Sequence, residues 1–405
     1  MNMFSMVRIY PHIKRCGLES EHVLSFDARG SPFECASTTA AIDVVMLQQV
    51  KTGIAHFHFP RLFTSMASLE MGTDKYKVLF KIGEGAQGII LKAELKAKPG
   101  EYVAVKKLRD SKDKNGLSID TIREIYMLRE LDHPNVIKIL DIFGRSGVMH
   151  IIMPFAVGDL EQLIQNKEVL LTPAHIKQYM TMLLRGVQHL HHKYILHRDL
   201  KPANCLILTD NTLAISDFGM SREYGSPNRQ LSWQACTIWY RSPELLLGAS
   251  QYGTGLDQWS AGCIFAELLL RVPIFGGNDH TEIAQIGRIF RILGTPNFNP
   301  DSGTAKSEKI KTSAVYWKDY EMLPKFRKYE PNEQYPVDNL LKACSQNAKE
   351  LFLGLCKYDP NKRLTATQAL DHEYFQEQPE PTPVELLPNP KSKSPSKSNT
   401  PQPNV

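Results

Sequence analysis

His197-Arg198-Asp199-Leu200-Lys201-Pro202-Ala203-Asn204 is the stretch on which the reading of this chain turns, and Asp217-Phe218-Gly219 begins thirteen residues after Asn204. Together they hold a carboxylate that can take a hydroxyl proton (Asp199), a cation that can neutralise phosphate (Lys201) and two oxygen ligands for a hard metal ion (Asn204 and Asp217). In-line phosphoryl transfer needs little else from a protein, because catalysis there is mostly positioning and charge stabilisation. At this composition, His-Arg-Asp with Asn five residues beyond the Asp arises by chance in roughly one such chain in a thousand. An ordinary charged loop before a strand is therefore the poorer account.

The rest of the chain sets the bounds. Its 405 residues, 42% of them hydrophobic, allow a large core and roughly two to three structural units. The 48 basic and 43 acidic residues leave only +5. Both ends are balanced, with six charges of each sign in 1–70 and three of each in 376–405. The excess lies in the middle, which favours a compact anion site over a nucleic-acid face. No apolar run approaches the length of a membrane span, and the amino terminus lacks a basic region followed by an apolar block. Neither nucleic acid nor membrane is an expected partner. Seven cysteines without a C-x-x-C pair point to a reducing intracellular compartment and no structural zinc.

Three parts follow from composition. Residues 1–73 show no sustained period and are expected to be a disordered extension, with Met66 or Met71 as alternative starts. Residues 74–375 form the body. From 376 the chain becomes Pro-Glu-Pro-Thr-Pro and then a Ser/Lys/Pro run, predicting a solvated, disordered tail over 376–405. Within the body, alternating stretches at Tyr76–Ile82, Gly88–Ala93 and Tyr102–Lys107 predict consecutive strands. Ile119–Leu131 predicts a helix and His150–Pro154 another strand. Helical patterns dominate from Pro173, as at His175–His192, Asp257–Leu269 and Ala348–Cys356. A β-rich lobe (74–155) and a helical lobe (156–375) would leave a ligand cleft near 155–160.

Further chemistry sits on this frame. Gly83-Glu84-Gly85-Ala86-Gln87-Gly88 follows a strand, and glycines let backbone approach phosphate. Alone the pattern is weak, arising in roughly one such chain in ten. It leads into a strand rather than a helix, which argues against a dinucleotide fold. Val103-Ala104-Val105-Lys106, eighteen residues past Gly88, strengthens it: Lys106 can clamp phosphate with Glu124 of the next helix as its partner. Asp199 would orient the substrate hydroxyl and accept its proton, with Lys201 meeting the transferred group. Asn204 and Asp217 would hold Mg2+ against the phosphates of ATP. His189, His191, His192 and His197 have no common metal spacing, and a helix end plus a loop histidine accounts for them.

In this order, over about 74–375, these elements resemble the eukaryotic protein kinases. The resemblance implies an α+β, bilobal fold, with a small β-rich N-lobe carrying one regulatory helix and a larger, mainly α-helical C-lobe. It implies that Ile82, Ile90, Ala104 and Leu206 sandwich adenine, that Met153 is the gatekeeper and Pro154 and Ala156 the hinge, and that Asp159 meets the ribose. Leu128, His197 and Phe218 fall on the stacked apolar spine. Ser242-Pro243-Glu244 stands where Ala-Pro-Glu is usual, with Glu244 expected to pair with Arg363 and Asp257 to brace the catalytic loop. Ser118 to Glu124 resembles the cyclin-contacting helix of the cyclin-dependent kinases, and Trp239-Tyr240-Arg241 their proline-directed substrate site.

Tyr224 to Arg229, Glu267 to Pro273 and Pro381-Thr382-Pro383 are similar to the CDK-activating kinase branch. That branch implies an H-type cyclin, an assembly factor, general transcription factor H subunits, and a nuclear location with the cytoplasm as a second compartment. Gly85 to Gly88 and Lys201 to Asn204 look more like the cell-cycle-related kinase branch, which stays open as the alternative. A pseudokinase scaffold and a small-molecule kinase also stay open. Intact Lys106, Asp199, Asn204 and Asp217 argue against the first, and the segment around Arg241 against the second.

The resemblance also predicts control. Ser232 falls at the activating phosphorylation position, with Arg123, Arg198 and Arg222 as its phosphate pocket. Ser226 and Ser394 each begin a Ser-Pro-x-basic motif. Ala86 and Gln87 replace an inhibitory Thr-Tyr pair and cannot be phosphorylated.

Overall fold

A computed structural model describes residues 74–85, 88–108, 119–145, 148–225, 231–232, 237–297, 316–330, 332, 335 and 337–392, with backbone alone at 24–26, 32–34 and 119–120. Ala86, Gln87, Ser118, Ser226 and Ser394 lie outside these residues, as does most of the extension. There the structure describes one short antiparallel ladder, Leu24–Phe26 against Pro32–Glu34, where no fold was expected.

Two compact units emerge. The first comprises Met1–Glu101, Val105–Ile119 and Asp141–Ile152. It holds β1 (Tyr76–Gly85), β2 (Gly88–Leu95), β4 (Asp141–Arg145) and most of β3 (Tyr102–Leu108) and β5 (Val148–Pro154), strands ordered β1-β2-β3-β5-β4 in one sheet, with Tyr102–Ala104 and Met153–Pro154 counted in the second unit. β1 and β2 are antiparallel with Gly85 opposite Gly88. β3 reads as a continuous buried run, Val103 to Lys106, as expected of a central strand.

The second unit comprises Tyr102–Ala104, Asp120–Leu140 and Met153–Val405. It includes α1 (Ile119–Glu130), α2 (Leu160–Gln165), α3 (Pro173–His192), α4 (Gly255–Leu270), α5 (Glu282–Leu293) and α6 (Gln346–Leu355). A small antiparallel sheet joins them, ordered β8-β7-β6, from β6 (Ala156–Asp159), β7 (Cys205–Leu208) and β8 (Leu213–Ile215). Every residue of α4 from Gly255 to Leu268 is buried, so this helix is the centre on which the unit packs. α3 buries one face instead, through Ile176, Met180, Leu183, Leu184, Val187 and Leu190.

Met127, Leu128 and Leu131 of the α1 segment join the large apolar core. Those residues with Glu124 recur at helical spacing and bury one face. The tail differs from expectation. Residues 376–392 pack against the helical unit rather than trailing into solvent. Lys177 Nζ, on a side chain 1% exposed, donates to the Glu377 and Pro379 carbonyls. Thr382 N–H donates to Ala174 O, the Tyr179 hydroxyl to Pro388 O, and Leu387 is buried. Composition misled here for a physical reason. The carbonyls of this segment, not its side chains, make most of these bonds, and prolines have little backbone freedom to lose on ordering.

Candidate active site

The octet lies between the strand Ile195–Leu196 and β7, and its backbone is held from below by α4. Asp257, fully buried in the first turn of α4, accepts the N–H groups of His197 and Arg198, each at 3.0 Å, and His191 Nε2 at 2.9 Å. Burial pushes the Asp257 carboxyl up, but the bond and charge of His191, the charge of His197 and the Arg198 N–H together hold it below the usual carboxylate range. Arg198 sits at φ 69° and Asp217 at φ 64°, both left-handed and neither glycine. Such backbone persists only where its surroundings over-determine it. The two bonds to Asp257 supply that at Arg198.

Asp199 is the convergence point. Its Oδ1 accepts the Thr237 N–H at 2.8 Å and the Thr237 hydroxyl at 3.0 Å. Its Oδ2 accepts Lys201 Nζ at 2.9 Å and Asn204 Nδ2 at 3.1 Å. Lys201 Nζ also reaches Thr237 Oγ1 at 2.9 Å. Four donors thus fix both carboxylate oxygens and leave little rotational freedom. Thr237 was not legible in the sequence: nothing in its spacing, two residues before Trp239, marks it out. It closes the carboxylate from the opposite side of the loop, 38 residues away.

Asn204 is turned by the same network. Its Nδ2 is committed to Asp199 O (2.8 Å) and Oδ2, which leaves the amide oxygen for another partner. Asn204 O accepts the Ser216 N–H at 2.9 Å and the Ser216 hydroxyl at 3.1 Å, tying the octet to the residue before Asp217. An amide oxygen and a carboxylate on adjoining segments are a donor set that suits a hard cation taking its remaining ligands from phosphate and water. His197 Nε2 lies 2.9 Å from Ser216 O, and its ring meets Phe218 edge-on at 5.0 Å.

The other predicted residues are distributed between the two units. In the first, Ile90 pairs with Gly83, and Ile82 is exposed. A Cβ built on Gly83 or Gly85 meets nothing within 4 Å, so packing gives no reason for glycine at either position. Glu84 is exposed, and Lys106 is buried on β3. Gly88 is different: a Cβ there would lie 2.2 Å from Lys107 O. Gly88→Ala is expected to force β2 from β3 and destabilise the protein by about 1–3 kcal/mol, the usual cost of overpacking. A melting temperature equal to wild type would refute this.

In the second unit, Asp159 and Leu206 are register partners across β6 and β7, while Ala104 and Glu124 are buried and Met153, Pro154 and Ala156 half-buried. Burial pushes the Asp159 carboxyl up, against the Gln162 N–H that it accepts as N-cap of α2. Arg198 and Ser232 meet, since Arg198 Nη2 donates to Ser232 O at 2.7 Å and Nη1 to Met220 O at 3.1 Å. The Tyr252 hydroxyl also donates to Ser232 O at 2.6 Å, and Ser232 itself is exposed. Arg222 Nη1 donates to Ser221 O at 2.8 Å, and Arg123 is half-buried on α1. Glu244 and Arg363 form a two-pronged pair at 2.7 Å on each oxygen.

Comparison with known proteins agrees with this arrangement. The protein kinase domain family matches residues 76–375. Cyclin-dependent kinase 7 of Xenopus laevis is 40% identical over 319 residues, spanning 78% of this chain and 85% of that protein. Among solved structures, the CAK complex of Chaetomium thermophilum bound to ATP-γ-S superposes with a TM-score of 0.71 at 33% identity, over 79% of this chain and 97% of that one. The yeast RNA polymerase II CTD kinase complex CTDK-1 gives 0.67 at 34%, over 78% and 97%. An antiparallel-sheet lobe, a helical lobe and these relatives lead to one conclusion: the chain belongs to the protein kinases, and within them it is an ATP-dependent Ser/Thr kinase of the cyclin-dependent kinase family.

Proposed function

We propose that this chain is the catalytic subunit of a cyclin-bound, CDK-activating kinase that also acts on the heptad tail of RNA polymerase II. The observation that carries the chemistry is the fixing of both Asp199 oxygens by Thr237, Lys201 and Asn204. Held this way, Asp199 orients a substrate Ser or Thr hydroxyl and takes its proton, and Lys201 stands two residues on to balance charge on the transferred group. Asn204 and Asp217 would hold Mg2+, which when bound neutralises charge on the phosphates of ATP. Lys106, with Glu124 as its proposed partner, would hold those phosphates, and Gly83 and Gly85 carry no side chain to obstruct them. Ile82, Ile90, Ala104 and Leu206 would enclose adenine beside Met153, Pro154 and Ala156, with Asp159 on the ribose.

An H-type cyclin, an assembly factor and general transcription factor H subunits are the partners this reading implies, in the nucleus. The names of the relatives, a CAK complex and a CTD kinase complex, support it. Isolating the chain from its own cells tests it: an H-type cyclin with transcription-factor subunits should co-purify, and the complex should phosphorylate both kinase activation segments and heptad peptides. A different cyclin with no transcription-factor subunit would favour the cell-cycle-related branch.

Regulation follows from Arg198. A cation that already donates to the Ser232 carbonyl would also take phosphate on the same residue, with Arg222 and Arg123 as proposed companions. Ser232→Ala should therefore lower activity, and more so without cyclin, when nothing else orders the segment. Equal rates for mutant and wild type, with and without cyclin, would sink the idea.

A further inference from the structure

The carboxy-terminal segment does more than cover α3. It runs from the Lys177 anchor past Tyr179 and ends in a turn, Asn389–Ser392, that bonds to itself. Asn389 N–H donates to Ser392 Oγ at 2.9 Å, Ser392 N–H to Asn389 O at 2.9 Å, and Lys391 N–H to Asn389 Oδ1 at 3.0 Å. A turn so closed presents its carbonyls and ring in fixed directions. Asn389 Nδ2 then reaches Asn211 Oδ1 at 3.2 Å, on the loop between β7 and β8, while Asn211 Nδ2 returns to Glu385 O at 3.3 Å.

What the turn touches is informative. Asn166 Nδ2, at the C-cap of α2, donates to Pro390 O at 3.0 Å. The Pro390 ring fills the space that a side chain at Gly158 would need, with Cγ 2.8 Å from a Cβ built there. Pro390 is therefore wedged between the strand that enters α2 and the cap that ends it. Asp159 is the N-cap between those points, accepting Gln162 N–H at 2.9 Å. Lys391 Nζ stands 6.0 Å from the centre of the Phe155 ring, which lies between Pro154 and Ala156. The far side of the same strap is fastened through buried Lys177, so the wedge is tethered rather than loosely laid.

We infer that Asn389–Ser392 is a cis-acting positioning element for nucleotide binding: Pro390, held by Asn166 and Asn389, fixes the strand and N-cap that carry Ala156 and Asp159. The inference rests on the assignment of Ala156 and Asp159 to the adenine and ribose side of the site. Nothing in the strap reaches the reacting atoms. Its effect should fall on ATP affinity rather than on the transfer step, because a less constrained contact weakens ground and transition states alike.

The test compares the full chain with its cyclin partner, a chain ending at Pro388, and full-length Pro390→Gly. Truncation at Pro388 keeps the Lys177 and Tyr179 anchors, and Pro390→Gly keeps every residue after it. In both, the KM for ATP should rise about fivefold, the scale of one loosened nucleotide contact, because the truncation removes the whole turn and Pro390→Gly removes the ring packed at Gly158, with kcat and the peptide KM within about twofold. Unchanged ATP KM in both variants would overturn the proposal. So would a parallel loss of kcat, peptide KM and melting temperature, which marks a structural staple and nothing more. Binding of a fluorescent ATP analogue to the wild type separates the two levels. No binding there removes the nucleotide-site assignment itself, while normal binding with unshifted variants removes the strap alone.

Discussion

Asp199→Asn should lower kcat by about 10²–10⁴ at saturating ATP, the range for losing a general base, while ATP affinity stays within a few-fold of wild type. The substitution keeps size and shape and removes the negative charge and, with it, the capacity to accept a proton. It also places an amide NH2 against donors, since Thr237 N–H and hydroxyl face one oxygen and Lys201 and Asn204 the other. One of those contacts must break, at a cost of about 1–3 kcal/mol for a buried group left unsatisfied. The rates should therefore be measured well below the melting temperature of the variant. Retention of kcat within tenfold, in a protein shown to be folded, would refute the role assigned to Asp199.

Arg363→Leu is the second large effect, and it falls on stability. The Arg363 side chain is fully buried and Glu244 nearly so. Besides both Glu244 oxygens, the guanidinium donates to Gly255 O (2.8 Å), Lys357 O (2.7 Å) and Tyr358 O (3.1 Å), and it stacks over Trp259. Removing it strands the Glu244 carboxylate and three carbonyls away from water. Breaking a buried pair from one side costs about 3–5 kcal/mol, which in a domain of this size lowers the melting temperature by about 10 °C. Replacing both partners at once, Glu244→Leu with Arg363→Met, should recover part of the loss because no charge is left unpaired. A single Arg363→Leu variant melting with the wild type would contradict this account of the packing.

Much of this fold was legible because its signals are local. The buried run of β3, the helical face of α3 and the glycines bounding the β1–β2 connection follow from residues within a few positions of each other. The centre of the site was half legible. Asp199, Lys201, Asn204 and Asp217 sit in one short span, and their residue types announce their chemistry. Thr237 does not, because its role is made by a backbone N–H and a hydroxyl arriving from 38 residues away, and no composition or period encodes that approach. The strap was misread for the same reason. Its Pro, Ser and Lys content describes a solvated segment, yet the bonds that hold it belong to Lys177, Tyr179, Asn166 and Asn211 elsewhere in the chain. Partners that bind main-chain carbonyls leave no trace in the sequence that owns the carbonyls.

The most direct test of the central claim is transfer of the terminal phosphate of ATP to a Ser-Pro peptide by the purified chain with its cyclin. The geometry around Asp199 predicts magnesium-dependent appearance of phosphoserine on the peptide, with one ADP formed per phosphate transferred. ATP binding without phosphopeptide, under conditions where the complex is intact, would contradict it and leave the chain a scaffold.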